Sequence, residues 1–341
     1  MAFTEKYLSV AGAGAHDGSS AANAWTLAEF LTNNTAGDRG NMISGSYSSG
    51  ADAFSNAGTI SALSVLRGYN STIGDLDTVG RDTPANGSGL ITTNMPSITI
   101  TGAITFSNFV LLMNLNVTGA LATFLLGATV GPDNVFLYQC KVTNTLNNSG
   151  ASCVRGDNNC AFIMCDFECT GAAHGPVVDA DVDTVMIACR SKCVVTTSAH
   201  LQAVNATVLD SLFIDGGKAL RVLGSTNANI MAGNTAYNCE KFIELPNAAQ
   251  SVVPISYNNH PTDCAEFIDS LYSATAATAF LEMFNRTRDN TTARTGVGDG
   301  LLVGEVTTDT GDDTTDYTDA STDDFSLISG APGEDAGLKI G

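Results

Sequence analysis

Strand-like segments recur through the middle of the 341-residue chain, and three of them are apolar on both faces: VFLYQCKV (135–142), AFIMCDFEC (161–169) and VMIACRSKC (185–193). A half-buried strand alternates apolar with polar residues, so a run without alternation has to be covered on both sides. Laid over one another, the segments place Asn114, Cys140, Cys165, Cys189, Asp210, Gly233 and Ile255 in one column, 21 to 26 residues apart. A period of this size marks a solenoid. Two positions earlier stand Leu112, Tyr138, Ile163, Ile187, Val208, Met231 and Val253, and four earlier Val110, Phe136, Ala161, Val185 and Ala206. Alternate residues of a strand share a face, so these columns are predicted to form a continuous inner wall.

Each repeat holds a second short apolar segment that ends at a turn, such as FLLG (124–127), CVRG (153–156), VVDA (177–180), RVLG (221–224) and FIEL (242–245). Gly, Asp, Asn and Pro follow these segments, as tight corners require. Two or three short strands per coil predict an all-β fold, a right-handed parallel β-helix. The Leu-x-x-Leu-x-Leu frame of a leucine-rich solenoid is missing, and residues 100–260 show no helical periodicity between strands. Nine cysteines with no secretion signal read as free thiols. Cys140, Cys165 and Cys189 are expected to stack from coil to coil, and Cys169 and Cys193 to form a second ladder. Small polarizable side chains fill such stacks well.

The opening YLSVAGAGAHDGSSAANAWTLAEFL (7–31) resembles the first segment of pectate-lyase-like β-helix proteins, with a strand, a Gly/Asp-rich turn and a short capping helix. ISGSYS (43–48) and SVLRGYNSTIGD (64–75) resemble their first coils, and DFSLISGAPGEDAGL (324–338) their closing segment. The resemblance implies an opening strand and cap helix over 1–40, β-helix coils over 41–262, a helical or covering segment over 263–295, and an acidic arm with an irregular closing segment over 296–341, all in one domain. The superfamily includes polysaccharide lyases and hydrolases, and also phage and viral particle-surface proteins.

On this alignment Leu111, Met113, Leu137, Phe162, Met164, Met186, Leu209 and Ile230 point outward. An apolar stripe of that length marks an interaction surface. Its cover is expected to be either another subunit, most simply in a homotrimer, or residues 263–286, whose apolar positions fit an amphipathic helix. One residue past the marker column, Lys141, Asp166 and Arg190 form a charge ladder, and Glu168 and Lys192 a second one. Cross-strand pairing explains both without catalysis.

Thirty-five acids against fifteen bases give a net charge of −20, so no phosphate-neutralising nucleic-acid binding is expected. No apolar run reaches membrane-spanning length. Asp179, Asp181 and Asp183 alternate in VVDADVD and are the candidate ligands for a hard cation, Ca²⁺ being the one such carboxylates would take. Otherwise no cofactor is expected. Motifs of pectin hydrolases and pectate lyases have no counterpart in the corresponding coils. Two functions follow as expectations. The first is a non-enzymatic subunit of a virus or phage surface, made in a host cytoplasm and assembling with itself and with capsid or other virion proteins. The alternative is a polysaccharide lyase or glycoside hydrolase on a surface glycan, with a groove carrying Arg155, Asp157, Asp179, Asp181 and Asp183.

Overall fold

The computed structural model describes residues 2–54, 58–77, 89–106, 108–127, 134–223, 229–245 and 255–270, then a series of short strands from Leu281–Met283 to Asp324–Leu327. The fold is an all-β parallel β-solenoid with very little helix. It divides into two compact units, residues 1–82 with 90–175, and residues 83–89 with 176–341. No helix among the described residues is long and apolar enough to cross a membrane.

In the first unit the coils build three parallel sheets. The first sheet holds Thr4–Leu8, Asp38–Ile43, Ser64–Tyr69, Val110–Met113, Val135–Tyr138 and Ala161–Ile163. The second holds Ser46–Ser49, Ser97–Ile100, Asn116–Gly119, Lys141–Asn144 and Asp166–Cys169. Ile104–Thr105, Phe124–Gly127 and Ser152–Arg155 make the third. The expected cap is present as the helix Leu27–Asn33. Thr26 and Glu29 form a reciprocal capping box at its start, and Leu27, Phe30 and Leu31 are buried beneath it. Phe30 packs edge-on against Phe54 (5.7 Å between ring centres), and Phe54 against Phe106 (5.9 Å). Gly40 lies under this helix because any Cβ there would meet the Phe30 ring at 2.7 Å.

The second unit repeats the plan. Its first sheet runs from Thr184–Ile187 through Ala206–Leu209, Ile230–Ala232, Ile255–Tyr257 and Leu281–Met283 to Leu301–Val303. The third sheet, which carries the charged site, comprises Val178–Asp179, Ala199–Ala203, Lys218–Val222, Lys241–Leu245, Glu266–Ser270 and Thr292–Thr295. The predicted helix over 263–286 is not formed where the structure describes it: Glu266–Ser270 and Leu281–Met283 are strands in register with the coils before them. Hydrogen bonding to an exposed sheet edge overrides local periodicity in such a segment. Residues 271–280 lie outside the described residues, as does most of the acidic arm.

From Val110–Met113 on, the corners after the first-sheet strands are left-handed residues: Asn114 (φ 56°), Gln139 (50°) and Met164 (54°) in one unit, Ala188 (52°), Asp210 (47°), Gly233 (65°) and Asn258 (51°) in the other. This column exposes a one-residue offset in the sequence alignment. Asn114, Asp210 and Gly233 are corner residues, whereas Cys140, Cys165 and Cys189 stand one place later, at the inward position occupied elsewhere by Leu115, Ser211, Asn234 and Asn259. The three cysteines do share a coil position, and each is fully buried. Because strand side chains alternate, a slip of one residue exchanges the faces. Leu137, Phe162 and Met186, expected outside, therefore point inward, with at most 1% of their surface exposed. Met164 is a half-buried corner. Leu111, Met113, Leu209 and Ile230 do face outward, half-buried. Tyr138, Ile163, Ile187, Phe136, Ala161 and Val185, placed in the inner wall by the alignment, face outward with them; Val253 lies outside the described residues.

Candidate functional site

Among the described residues, a dense group of opposite charges lies on the third sheet of the second unit. Strand register places Asp179, Gln202, Arg221 and Glu244 in one column, and Lys218, Lys241 and Glu266 in another. Inward positions of the same strands, Leu201, Leu220 and Ile243, fill the core, so alternation turns the adjacent Gln202, Arg221 and Glu244 outward. Glu244 is the centre. Its carboxylate lies 2.9 Å from Arg221, 3.4 Å from Lys241 and 4.0 Å from Lys218. Lys218 also meets Glu240 at 2.9 Å and donates to the carbonyls of Thr196 and Thr197. Lys241 meets Glu266 at 4.0 Å. Arg221 donates to Gln202 Oε1 (3.3 Å), and Gln202 donates to Asp179 Oδ1 (3.0 Å).

The Glu244 and Lys218 side chains are each only 9% exposed, so this network is partly desolvated and its charges interact more strongly than surface pairs. Three cations surround Glu244, and Glu240, Glu266 and Asp179 bring the carboxylates of the group to four. Amines beside carboxylates supply the two partners that proton transfer needs.

The predicted cation ligands do not converge. Asp179 belongs to the ladder just described, Asp183 is a left-handed corner (φ 56°) whose carboxylate accepts from Asn205 Nδ2 at 3.2 Å, and the Asp181 carbonyl accepts the Val204 N–H. Among the described residues no group of three or more His, Cys, Asp or Glu could hold a metal ion. The donor set does not fit Ca²⁺, and no chemistry is assigned to one. Arg155 and Asp157 belong to the other unit; Arg155 is exposed and pairs in register with Gly127. Lys218, Arg221, Lys241 and Glu244 were missed by the sequence reading. Arg221 and Glu244 stand inside RVLG and FIEL, and their signal was charge at the alternate positions of segments read only for apolar content.

The second-sheet ladder is structural. Lys141 lies 3.5 Å from Asp166 and 3.8 Å from Glu168, and the fully buried Asp166 also accepts the Leu90 N–H at 3.1 Å. Arg190 and Lys192 belong to the other unit, where Lys192 meets Asp215 at 3.9 Å.

The thiols are structural too. Cys153 and Cys169 face each other at 3.6 Å inside the first unit. In the second, the Asp215 carbonyl, turned inward by a left-handed corner (φ 60°), accepts from His200 Nε2 at 2.8 Å and lies 3.6 Å from the Cys239 and 3.9 Å from the Cys193 sulfurs. Burial works to lower the His200 pKa, but Cys193 and the Asp215 carbonyl outweigh it and the net shift is upward.

The first sheet's outer face has the opposite character. In the first unit its two outward columns read Leu111, Phe136, Ala161 and Met113, Tyr138, Ile163; in the second they read Val185, Thr207, Ile230, Ile255 and Ile187, Leu209, Ala232, Tyr257. None carries a charge. In the first unit an apolar hollow of about 430 Å³ opens there, lined by residues including Leu63, Met113 and Tyr138.

No family model and no curated protein matches the chain. Solved structures do. A PL6 family polysaccharide lyase from Pseudopedobacter saltans matches with a TM-score of 0.51 and 11% identity, over 76% of this chain and 61% of its own. A PL6 family alginate lyase matches with a TM-score of 0.53 and 10% identity, over 78% of this chain and 38% of its own. A rhamnogalacturonan lyase matches with a TM-score of 0.51 and 11% identity, over 95% of both chains. The chain thus spans less than two thirds of the length of the two PL6 lyases. Identities this low show a shared fold alone. The phage and viral side of the resemblance has no support in these neighbours, and the chain is a parallel β-solenoid of the kind seen in pectate and polysaccharide lyases.

Proposed function

We propose that the chain acts on a polysaccharide through the outer face of the third sheet in its second unit. The observation that carries this reading is the cluster of Lys218, Arg221 and Lys241 around Glu244, partly desolvated and held in register on a sheet. A face so built holds an acidic sugar by its carboxylate and sets amines beside it. In an elimination, a carboxylate of the cluster, Glu240 or Glu244, takes the proton next to the sugar's carboxylate, the glycosidic C–O bond breaks, and the leaving oxygen takes a proton from a lysine ammonium. The cations stabilise the charge that develops, which is the larger part of such catalysis. Hydrolysis is the alternative chemistry, with Glu240 and Glu244 as the carboxylates that would protonate the leaving oxygen and activate water.

The test is incubation with a panel of acidic and neutral polysaccharides, following unsaturated uronates and new reducing ends separately. Unsaturated ends identify elimination, and reducing ends without unsaturation identify hydrolysis. Arg221→Ala is expected to lower either activity by about 100-fold. Absence of both products across the panel, or full activity in the variant, rejects the reading. The particle-surface role expected from the sequence finds no support among the structural neighbours, which are polysaccharide-acting enzymes.

A further inference from the structure

We propose that the outward face of the first sheet, centred on the hollow in the first unit, is where a second copy of this chain docks. The columns beginning at Leu111 and Met113 hold no charged residue, although 15% of the chain is charged. The change is abrupt. Earlier rungs of the same columns carry Glu5 paired with Arg39, and Arg67 paired with Asp77 at 3.0 Å. From the next rung onward the face is apolar, and the hollow lies there. A sheet face meant for water carries alternating polar residues, so this one is built for contact.

Two observations select another copy as the occupant. First, a chain of net charge −20 repels its own kind, so copies approach closely only through a face free of charge. Second, the outward side chains repeat at the strand spacing, about 4.8 Å. A partner keeps its side chains in step with such a face over many rungs only if it has the same repeat, and an identical solenoid has it by construction. Paired about a twofold axis, the same patch meets itself. The internal cover expected from 263–286 is not available from its described strands. Glu266–Ser270 and Leu281–Met283 are wound into the third and first sheets of the second unit.

Light scattering on the full chain over a range of concentrations tests this, with Met113→Lys and Tyr138→Lys measured beside it and their folding checked by circular dichroism. Both positions are half-buried and outward, where a lysine stem can lie along the sheet with its amine in water. Wild type is expected at a multiple of the single-chain mass, and each variant is expected to associate at least about tenfold more weakly. Amide exchange across 110–113 and 135–138 is expected to slow as wild-type concentration rises, which keeps the test open should a variant fail to fold. A wild type that stays single at every concentration overturns the proposal, whatever its exchange shows. So does association that survives in a folded variant, or exchange in these strands that ignores concentration. Polysaccharide turnover does not enter any of these readouts.

Discussion

Met164 and Ala188 hold φ at 54° and 52°, in corner positions that Asn114, Asp210, Gly233 and Asn258 fill with residues suited to them. A left-handed conformation costs an ordinary side chain about 1–2 kcal/mol, and asparagine much less. Met164→Asn is therefore expected to stabilise the fold by about 1 kcal/mol in denaturant unfolding. At His200 the expectation is the reverse. Removing its ring leaves the Asp215 carbonyl with only distant thiols and opens a cavity beside Phe213, whose ring centre lies 5.5 Å away. His200→Ala should cost about 3 kcal/mol. In the cap, the Thr26 N–H, with His16, holds the Glu29 carboxyl below its ordinary pKa. A depressed carboxylate contributes stability that is complete above its unfolded pKa and lost as pH falls through its folded one. Glu29→Gln should melt earlier than wild type at neutral pH, and the two should converge in acid.

At the scale of the strand, the faces decide what a substitution does. Phe162 is fully buried and meets Phe167 edge-on at 5.6 Å, whereas Phe136 lies on the half-buried outer face. Phe162→Ala is expected to cost about 4 kcal/mol and Phe136→Ala much less, a difference that chemical denaturation resolves. The two-faced strands made the solenoid legible in sequence, because their period and their second apolar segments survive any error of one residue. The faces did not survive it. Cys140, Cys165 and Cys189 drew the alignment onto an inward position while Asn114, Asp210 and Gly233 held it on the corner, and the side-chain period of two turned that slip into an inversion. Asn at a corner can be read from sequence; Met164 and Ala188 contradict the preference and hide the column. The charged ladder was illegible for another reason. Lys218, Arg221, Lys241 and Glu244 are scattered over 27 positions and meet only once the coil register brings their strands together.

For the molecule as a whole, charge is segregated. The first sheet's outer columns are uncharged from Leu111 on in the first unit and throughout the described second, and the third sheet of the second unit interleaves Lys218, Arg221 and Lys241 with the carboxylates of Asp179, Glu240, Glu244 and Glu266. Self-repulsion weakens a compact acidic chain, and salt screens it over about 10 Å at moderate ionic strength. Added salt should therefore raise the melting temperature while weakening any anionic polysaccharide held at Lys218, Arg221 and Lys241. The most direct measurement is a calorimetric titration of an acidic polysaccharide into wild type and into Arg221→Ala/Lys241→Ala, both shown to be folded. Heat of binding in wild type that vanishes in the double variant is the expected result, and equal binding by the two proteins would contradict a working face on the third sheet.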